Sequence, residues 1–152
     1  ASALAATHPL ARQTTFEQAV RDADVVCLCT DAESAVIEHE WLAPGVHVSS
    51  VGRGAEIPAA TMAAAMAGGT VLVEWRGAAL HAPPAGAFEL QGHDPAAMVE
   101  LGEALAGRAA VRADATAITV YKSTGHAMED MAAAGLVLER AAALGLGVRA
   151  PL

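Results

Sequence analysis

Small polar residues follow two apolar segments of this chain, in positions suited to binding a polar ligand. Thr30 comes directly after the run VVCLC, and Ser49, Ser50, Val51 and Gly52 end the run HVSSVG. A hydroxyl can reach a ribose or an amide, and a glycine lets a flat ring lie close to the backbone. Each group also suits an ordinary turn, so these residues alone leave ligand binding and turn formation open.

The segment KSTGHAMED, residues 122–130, offers a second kind of binding chemistry. It joins an apolar segment to a helical one, so Ser123, Thr124 and the free N–H groups of a helix start lie together. Such a junction suits an anion or the polar edge of a cofactor. The alternative is a plain cap, in which Ser123 or Thr124 accepts a backbone N–H and Glu129 and Asp130 add charge to the first turn.

No metal site is predicted. Cys27 and Cys29 have no histidine at ligand spacing, and no two histidines have H-x-x-x-H spacing. We expect both thiols to point into the core from a buried strand. Cysteines this close together do not form an ordinary disulfide, which favours a reducing compartment, the cytoplasm.

Composition and charge exclude several classes of protein. The 152 residues suit one domain, and 54% hydrophobic against 17% charged residues argues against disorder. Nine Lys and Arg residues against seventeen Asp and Glu give a net charge of −8, and the cations are scattered. We therefore expect no nucleic acid partner. No apolar run reaches the roughly 18 residues of a membrane span, so no membrane partner is expected either.

An alternation of strands and helices positions these polar residues. Continuous apolar runs such as VVCLC are typical of strands buried on both faces of a parallel sheet, and helical segments separate them. The alternation predicts an α/β fold with a doubly wound parallel sheet, in which ligands lie beyond the carboxyl ends of the strands. The predicted strands are residues 10–13, 25–29, 47–52, 70–75 and 118–122, and the predicted helices are residues 16–23, 38–42, 59–67, 95–106 and 127–144, with a loop over 76–94.

The order of several segments resembles the carboxyl-terminal half of the ornithine cyclodeaminase/mu-crystallin family. The most specific are EWLAPGVHVSSVG and YKSTGHAMED, and FEQAVRDADVVCLCT and VELGEALAG fall in the same order. The resemblance implies a partial Rossmann-type domain with a long C-terminal helix, binding NAD or NADP, attached to a substrate domain and forming a homodimer when full length. Its members pass a hydride between a nicotinamide and an amine-bearing carbon of a small amino acid or cyclic imine.

The resemblance also implies roles for individual residues. The cofactor-binding positions are Thr30, Ser49, Ser50, Val51, Gly52 and Ser123, and Thr124 matches a substrate-side position. Cyclodeaminases carry an acidic residue, proposed as the acid/base, where this chain has Gly54. Glu56 is a candidate substitute, and the catalytic group is left unassigned. Ketimine reductase or amino-acid dehydrogenase activity is thus as well supported as cyclodeamination, and a mu-crystallin-like binding protein without efficient catalysis is the alternative.

The same resemblance implies that part of the sheet is missing. The glycine-rich phosphate loop and the first two strands would precede Ala1, which predicts a gap between the strand at 10–13 and the strand at 25–29. We divide the chain into an incomplete dinucleotide-binding domain, residues 1–121, and a strand-to-helix junction with a long helix, residues 122–152. Such a fragment is expected to be inactive alone. An independent small α/β domain is the remaining possibility.

Overall fold

The computed structural model describes residues 2–30, 32–52 and 54–148. Its strands are β1 (Val25–Leu28), β2 (His47–Val51), β3 (Thr70–Val73), β4 (Val99–Glu100) and β5 (Thr119–Ser123). Its helices are α1 (Ser2–Ala5), α2 (Phe16–Val20), α3 (Ala59–Gly68), α4 (Gly77–Leu80), α5 (Leu101–Leu105) and α6 (Ala127–Leu144). Short 3-10 turns lie at His39–Trp41, Phe88–Leu90 and Pro95–Ala97.

The five strands form one parallel sheet in the order β1-β2-β5-β3-β4. β5 follows the other strands in sequence and lies between β2 and β3. The register places Leu28, Ser50, Lys122 and Val73 side by side on four neighbouring strands. The prediction of a parallel α/β sheet is confirmed. Because all strands run the same way, their carboxyl ends meet at one edge, which we call the carboxyl edge.

One face of this sheet holds the hydrophobic core. Side chains alternate between the two faces of a strand, so residues matched in register share a face. α3 packs against β3 and β5, and its Met62 and Ala65 are buried with the strand residues. The valines that meet in register on this face are Val26, Val48, Val120 and Val71, all buried.

The opposite face is more open at the β1 side. Val25 and Val51 are more than half exposed, and Cys27 and Cys29 are both exposed. The expectation that the two thiols lie in the core is therefore wrong. Alternation along β1 directs Val26 and Leu28 inward, which leaves Cys27 on the other side of an edge strand.

Several predicted elements differ in the structure. The predicted loop over 76–94 contains α4 and the 3-10 turn Phe88–Leu90, and the predicted helix over 38–42 is the 3-10 turn His39–Trp41. Residues 10–13 form no strand, and Leu10 is 81% exposed, since no apolar partner covers this polar segment. The strand predicted on one side of the gap is therefore wrong, and β1 is an edge strand of the described sheet. The predicted helix over 95–106 is broken at the buried Met98, and a capping box between Glu100 and Glu103 starts α5 anew.

α6 has the predicted bounds. Gly145 ends it in the left-handed region at φ 64°, where glycine is unstrained. The side chains of α6 are exposed, apart from a half-buried Ala141. Residues 149–152 of the predicted second segment lie outside the described residues. Within those residues, no helix is both long and apolar enough to cross a membrane.

Candidate functional site

The polar residues singled out above meet at the carboxyl edge. Thr30 follows β1, Gly52 follows β2, and Ser123 and Thr124 end and follow β5. The Gly52 N–H donates to the Ser123 carbonyl at 3.0 Å, which joins the ends of β2 and β5. Gly52 has φ 138°, a conformation that favours glycine. The sheet thus brings the Thr30 and Ser123 hydroxyls to either side of a glycine.

A buried lysine lies directly behind this edge. Lys122 is fully buried, and its ammonium group has three hydrogens to donate. It donates to Ser50 Oγ at 2.9 Å, to the Gly54 carbonyl at 3.1 Å and to Glu89 Oε1 at 3.0 Å. All three hydrogens are therefore used inside the protein, and the amine has none left for a ligand.

Glu56 connects the lysine to Thr30. It is fully buried, and its two oxygens accept from Ser50 Oγ at 3.0 Å and from Thr30 Oγ1 at 2.6 Å. Lys122, Ser50, Glu56 and Thr30 therefore form one continuous chain of hydrogen bonds, which we call the edge network. Because Glu56 is fully buried and its oxygens face Thr30 and Ser50, its geometry suits the positioning of Thr30 better than proton transfer to a ligand.

Glu89 is the carboxylate that pairs directly with Lys122. Its Oε1 also accepts from the Ile57 N–H at 3.4 Å, and its Oε2 is buried with no partner among the described residues. The ion pair is buried, since the lysine side chain is 0% and the glutamate side chain 5% exposed. Lys122 therefore pairs directly with Glu89 and reaches Glu56 only through the Ser50 hydroxyl.

Glu74, directly after β3, holds the other hydroxyl. Ser123 Oγ donates to it, and the N–H groups of Thr124 and Gly125 each donate at 3.2 Å. The Tyr121 hydroxyl also donates to it, at 3.4 Å. Burial, and after it the negative charge of Glu74, raises the pKa of Tyr121. Glu74 thereby fixes the whole segment between β5 and α6.

The cap of α6 differs from the alternative considered for Ser123 and Thr124. His126 Nδ1 accepts from the Met128 N–H at 3.2 Å and caps the helix. Ser123 is instead bound to Glu74, and Thr124 reaches the same carboxylate through its backbone. The hydroxyls at this junction are therefore not required for capping.

Gly54 has no room for a side chain. A Cβ placed on it would lie 2.1 Å from the Ala32 carbonyl oxygen, because the loops after β1 and β2 touch there. The Ala55 N–H donates to the same carbonyl at 3.0 Å. A cavity of about 390 Å³ opens beside Gly54 and is also lined by Glu33, Ala55 and Phe88. An acidic side chain at position 54 would displace the backbone of residue 32.

The other predicted residues contribute in different ways. Ser50 is fully buried with its hydroxyl in the edge network, so it can meet a ligand only through its neighbours or backbone. Ser49 and Val51 lie on the opposite face of β2, half-buried and exposed respectively. Glu74, Glu89 and Lys122 were missed. An available signal was their placement, since Glu74 follows a strand directly and Lys122 interrupts the apolar run of β5.

The edge suits one half of a dinucleotide. Hydroxyls, backbone groups and a glycine at the carboxyl ends of parallel strands match the polar rim of a nicotinamide and its ribose. Around these groups lie Glu56, Glu74 and Glu89, and Lys122 has no free hydrogen. The described edge is therefore suited to the nicotinamide half rather than to phosphates.

Comparison with known proteins identifies the family. The family model for the ornithine cyclodeaminase/mu-crystallin family matches residues 5–144. Ketimine reductase mu-crystallin from Mus musculus is 34% identical over 123 residues, which are 81% of this chain and 37% of the relative.

Two solved structures share the fold. A probable ornithine cyclodeaminase from Bordetella pertussis Tohama I has a TM-score of 0.73 and 29% identity, covering 91% of this chain and 45% of that one. The Δ1-pyrroline-2-carboxylate reductase of Thermococcus litoralis, in complex with NADH and L-proline, has a TM-score of 0.75 and 25% identity, covering 91% and 44%. The Rossmann-like prediction is confirmed, and the chain spans less than half the length of each of these relatives. On this evidence the chain belongs to the ornithine cyclodeaminase/mu-crystallin family.

Proposed function

We propose that this chain is the nicotinamide-binding part of an NAD(P)-dependent oxidoreductase that reduces a small cyclic imine. The observation that carries the proposal is the carboxyl edge, where Thr30 and Ser123 hold fixed hydroxyls on either side of Gly52. The mouse relative is a ketimine reductase, and the T. litoralis relative is an imine reductase whose structure holds NADH and L-proline. Both names support an imine as the substrate class.

The proposed site divides the work among the strands. Thr30, Ser123 and the backbone at Gly52 orient the nicotinamide, and Thr124 faces the substrate. The bound cofactor supplies the hydride that joins the imine carbon. The protein residues hold the ring, and the Glu56 and Glu74 carboxylates fix the two hydroxyls that meet it. The remaining proposed cofactor contacts are Ser49, Ser50 and Val51.

Gly54 favours reduction over cyclodeamination. The family's acid/base position carries no side chain here, and the Ala32 carbonyl occupies the space that one would need. Glu56 is poorly placed to take over, because it is fully buried and its two oxygens face Ser50 and Thr30. The same glycine supports a second candidate, a protein that binds the dinucleotide without efficient turnover.

One assay separates these functions in the intact protein. We expect oxidation of NADH or NADPH, followed by the loss of absorbance of the reduced nicotinamide, when Δ1-pyrroline-2-carboxylate is added. Ammonia release from ornithine should be absent. Cofactor binding without imine-dependent oxidation would replace the enzyme with the binding protein, and failure to bind either dinucleotide would refute both.

We also propose that the intact protein is a cytoplasmic homodimer. The family resemblance supports the dimer, and the unpaired thiols Cys27 and Cys29 are compatible with a reducing compartment. Sedimentation equilibrium of the intact protein would give twice the chain mass. A monomer across the micromolar range would contradict the dimer.

A further inference from the structure

Each hydroxyl of the proposed site has a carboxylate behind it. Thr30 donates its hydrogen to Glu56, and Ser123 donates its hydrogen to Glu74. Each hydroxyl also accepts a backbone N–H from two residues further along, at 3.3 Å in both cases. A hydroxyl has one hydrogen and two lone pairs, so each oxygen keeps one lone pair and no hydrogen for a ligand.

The edge network fixes this direction at Thr30. Lys122 can only donate, so Ser50 Oγ accepts from it and must send its own hydrogen to Glu56 Oε2. The other oxygen of Glu56 then takes the hydrogen of Thr30. Thr30 is exposed whereas Ser123 is 5% exposed, so Thr30 has the more accessible lone pair.

Resting on the proposed function, we infer that Glu56 is a positioning residue that makes Thr30 a hydrogen-bond acceptor toward the cofactor, and that Thr30 receives the carboxamide amino group of the nicotinamide. In the nicotinamide half of the cofactor, this amino group is the one polar group that only donates hydrogen bonds. A ribose hydroxyl can either donate or accept a hydrogen bond. It would therefore bind Thr30 equally well whichever way the Thr30 hydrogen points. A fixed acceptor therefore selects the amino group.

The first experiment compares two cofactors. Reduced 3-acetylpyridine adenine dinucleotide has a methyl group in place of the amino group and keeps the carbonyl. We expect the intact wild-type protein to bind it roughly three- to tenfold more weakly than NADH, the worth of one hydrogen bond. In Thr30→Val the two dissociation constants should become equal, and in Thr30→Ser the difference should return. The ratio within one variant cancels general effects on the fold.

The second experiment reverses the direction in which the hydroxyl hydrogen of Thr30 points. In Glu56→Gln the amide oxygen must face Ser50, which still donates, so the amide NH2 faces Thr30. Thr30 then accepts from the introduced amide and points its own hydrogen at the ligand, where it meets another donor. NADH affinity, measured by cofactor fluorescence, should fall about three- to tenfold, whereas the analogue should lose little. Glu40→Gln removes the same charge from an exposed side chain and should change neither constant.

The double variant tests whether Glu56 acts through Thr30. If it does, Glu56→Gln should leave the ratio of the two constants unchanged in the Thr30→Val background. An equal ratio for the two cofactors in the wild type, or the same change with and without the Thr30 hydroxyl, would overturn the inference and leave the proposed function standing. No NADH binding by the wild type would refute both. If Glu56→Gln does not fold, the Thr30→Val ratio still decides whether Thr30 receives the amino group, and a ratio that Thr30→Val leaves unchanged overturns the inference.

Discussion

Replacing Lys122 by methionine tests the edge network most directly. The side chain is fully buried and its ammonium group serves three acceptors, on β2, on the loop after β2 and at Glu89. Methionine fills similar space but donates nothing. Removing one partner of a buried ion pair leaves the other charge uncompensated, which costs about 3–5 kcal/mol. Since whole domains are stable by about 5–15 kcal/mol, this loss is a large fraction of the total.

The measurement is urea unfolding of the intact protein, followed by circular dichroism. Lys122→Met should lower the free energy of unfolding by about 3–5 kcal/mol at unchanged m-value. Adding Glu89→Gln should recover part of the loss, because the stranded carboxylate becomes neutral. Arg21→Met is the control. Its ion pair with Glu17 is about half exposed, so water replaces it at smaller cost. A Lys122→Met loss below about 1 kcal/mol, or further destabilisation by Glu89→Gln, would refute the reasoning.

Two further predictions concern the pH dependence of stability and the steric limit at Gly54. Burial, and then the charge of Arg112, lowers the pKa of His47, so the folded protein binds this proton less readily than the unfolded chain. Stability should be complete above the usual histidine pKa of about 6.5 and fall as the pH drops below it, and His47→Gln should flatten this slope in urea titrations between about pH 8 and about pH 5. Gly54→Asp should yield no ammonia release from ornithine and should lower the unfolding free energy by about 1–3 kcal/mol, because its Cβ meets the Ala32 carbonyl. Gly102→Asp, where a Cβ meets no atom within 4 Å, should be nearly neutral, and equal effects at both positions would contradict the steric argument.

The sequence predicted those elements whose local residue pattern agrees with their packing in the sheet. β2, β3 and α6 are recovered because their apolar or alanine-rich runs begin or end next to glycines, and the local pattern agrees with the packing. The helix predicted over 95–106 failed for a tertiary reason. Met98 is drawn into the core, and the two residues after it pair with β3. No local pattern carries that information.

The residues at the carboxyl edge could be predicted in part from the order of the strands and loops along the chain. Residues that follow strands, such as Thr30 and Ser123, can be found by listing strand ends, because a parallel sheet gathers them at one edge. Their partners Glu56 and Glu74 are separated from them by 26 and 49 positions. Pairing over such distances depends on strand order, which places β5 between β2 and β3. The sequence shows the hydroxyls but not which way their hydrogens point.

Strand order also explains why the charges lie where they do. β5 pairs with both β2 and β3. A lysine near the carboxyl end of β5 can therefore reach groups that follow the strands on either side of it. Lys122 ties the Gly54 loop and the Glu89 turn to this one strand, and through Ser50 and Glu56 it reaches Thr30 after β1. Loops that would otherwise move independently are thereby held in one arrangement before any ligand arrives. Binding then requires little further ordering of these loops, which is how a few buried charges can raise affinity without touching the ligand.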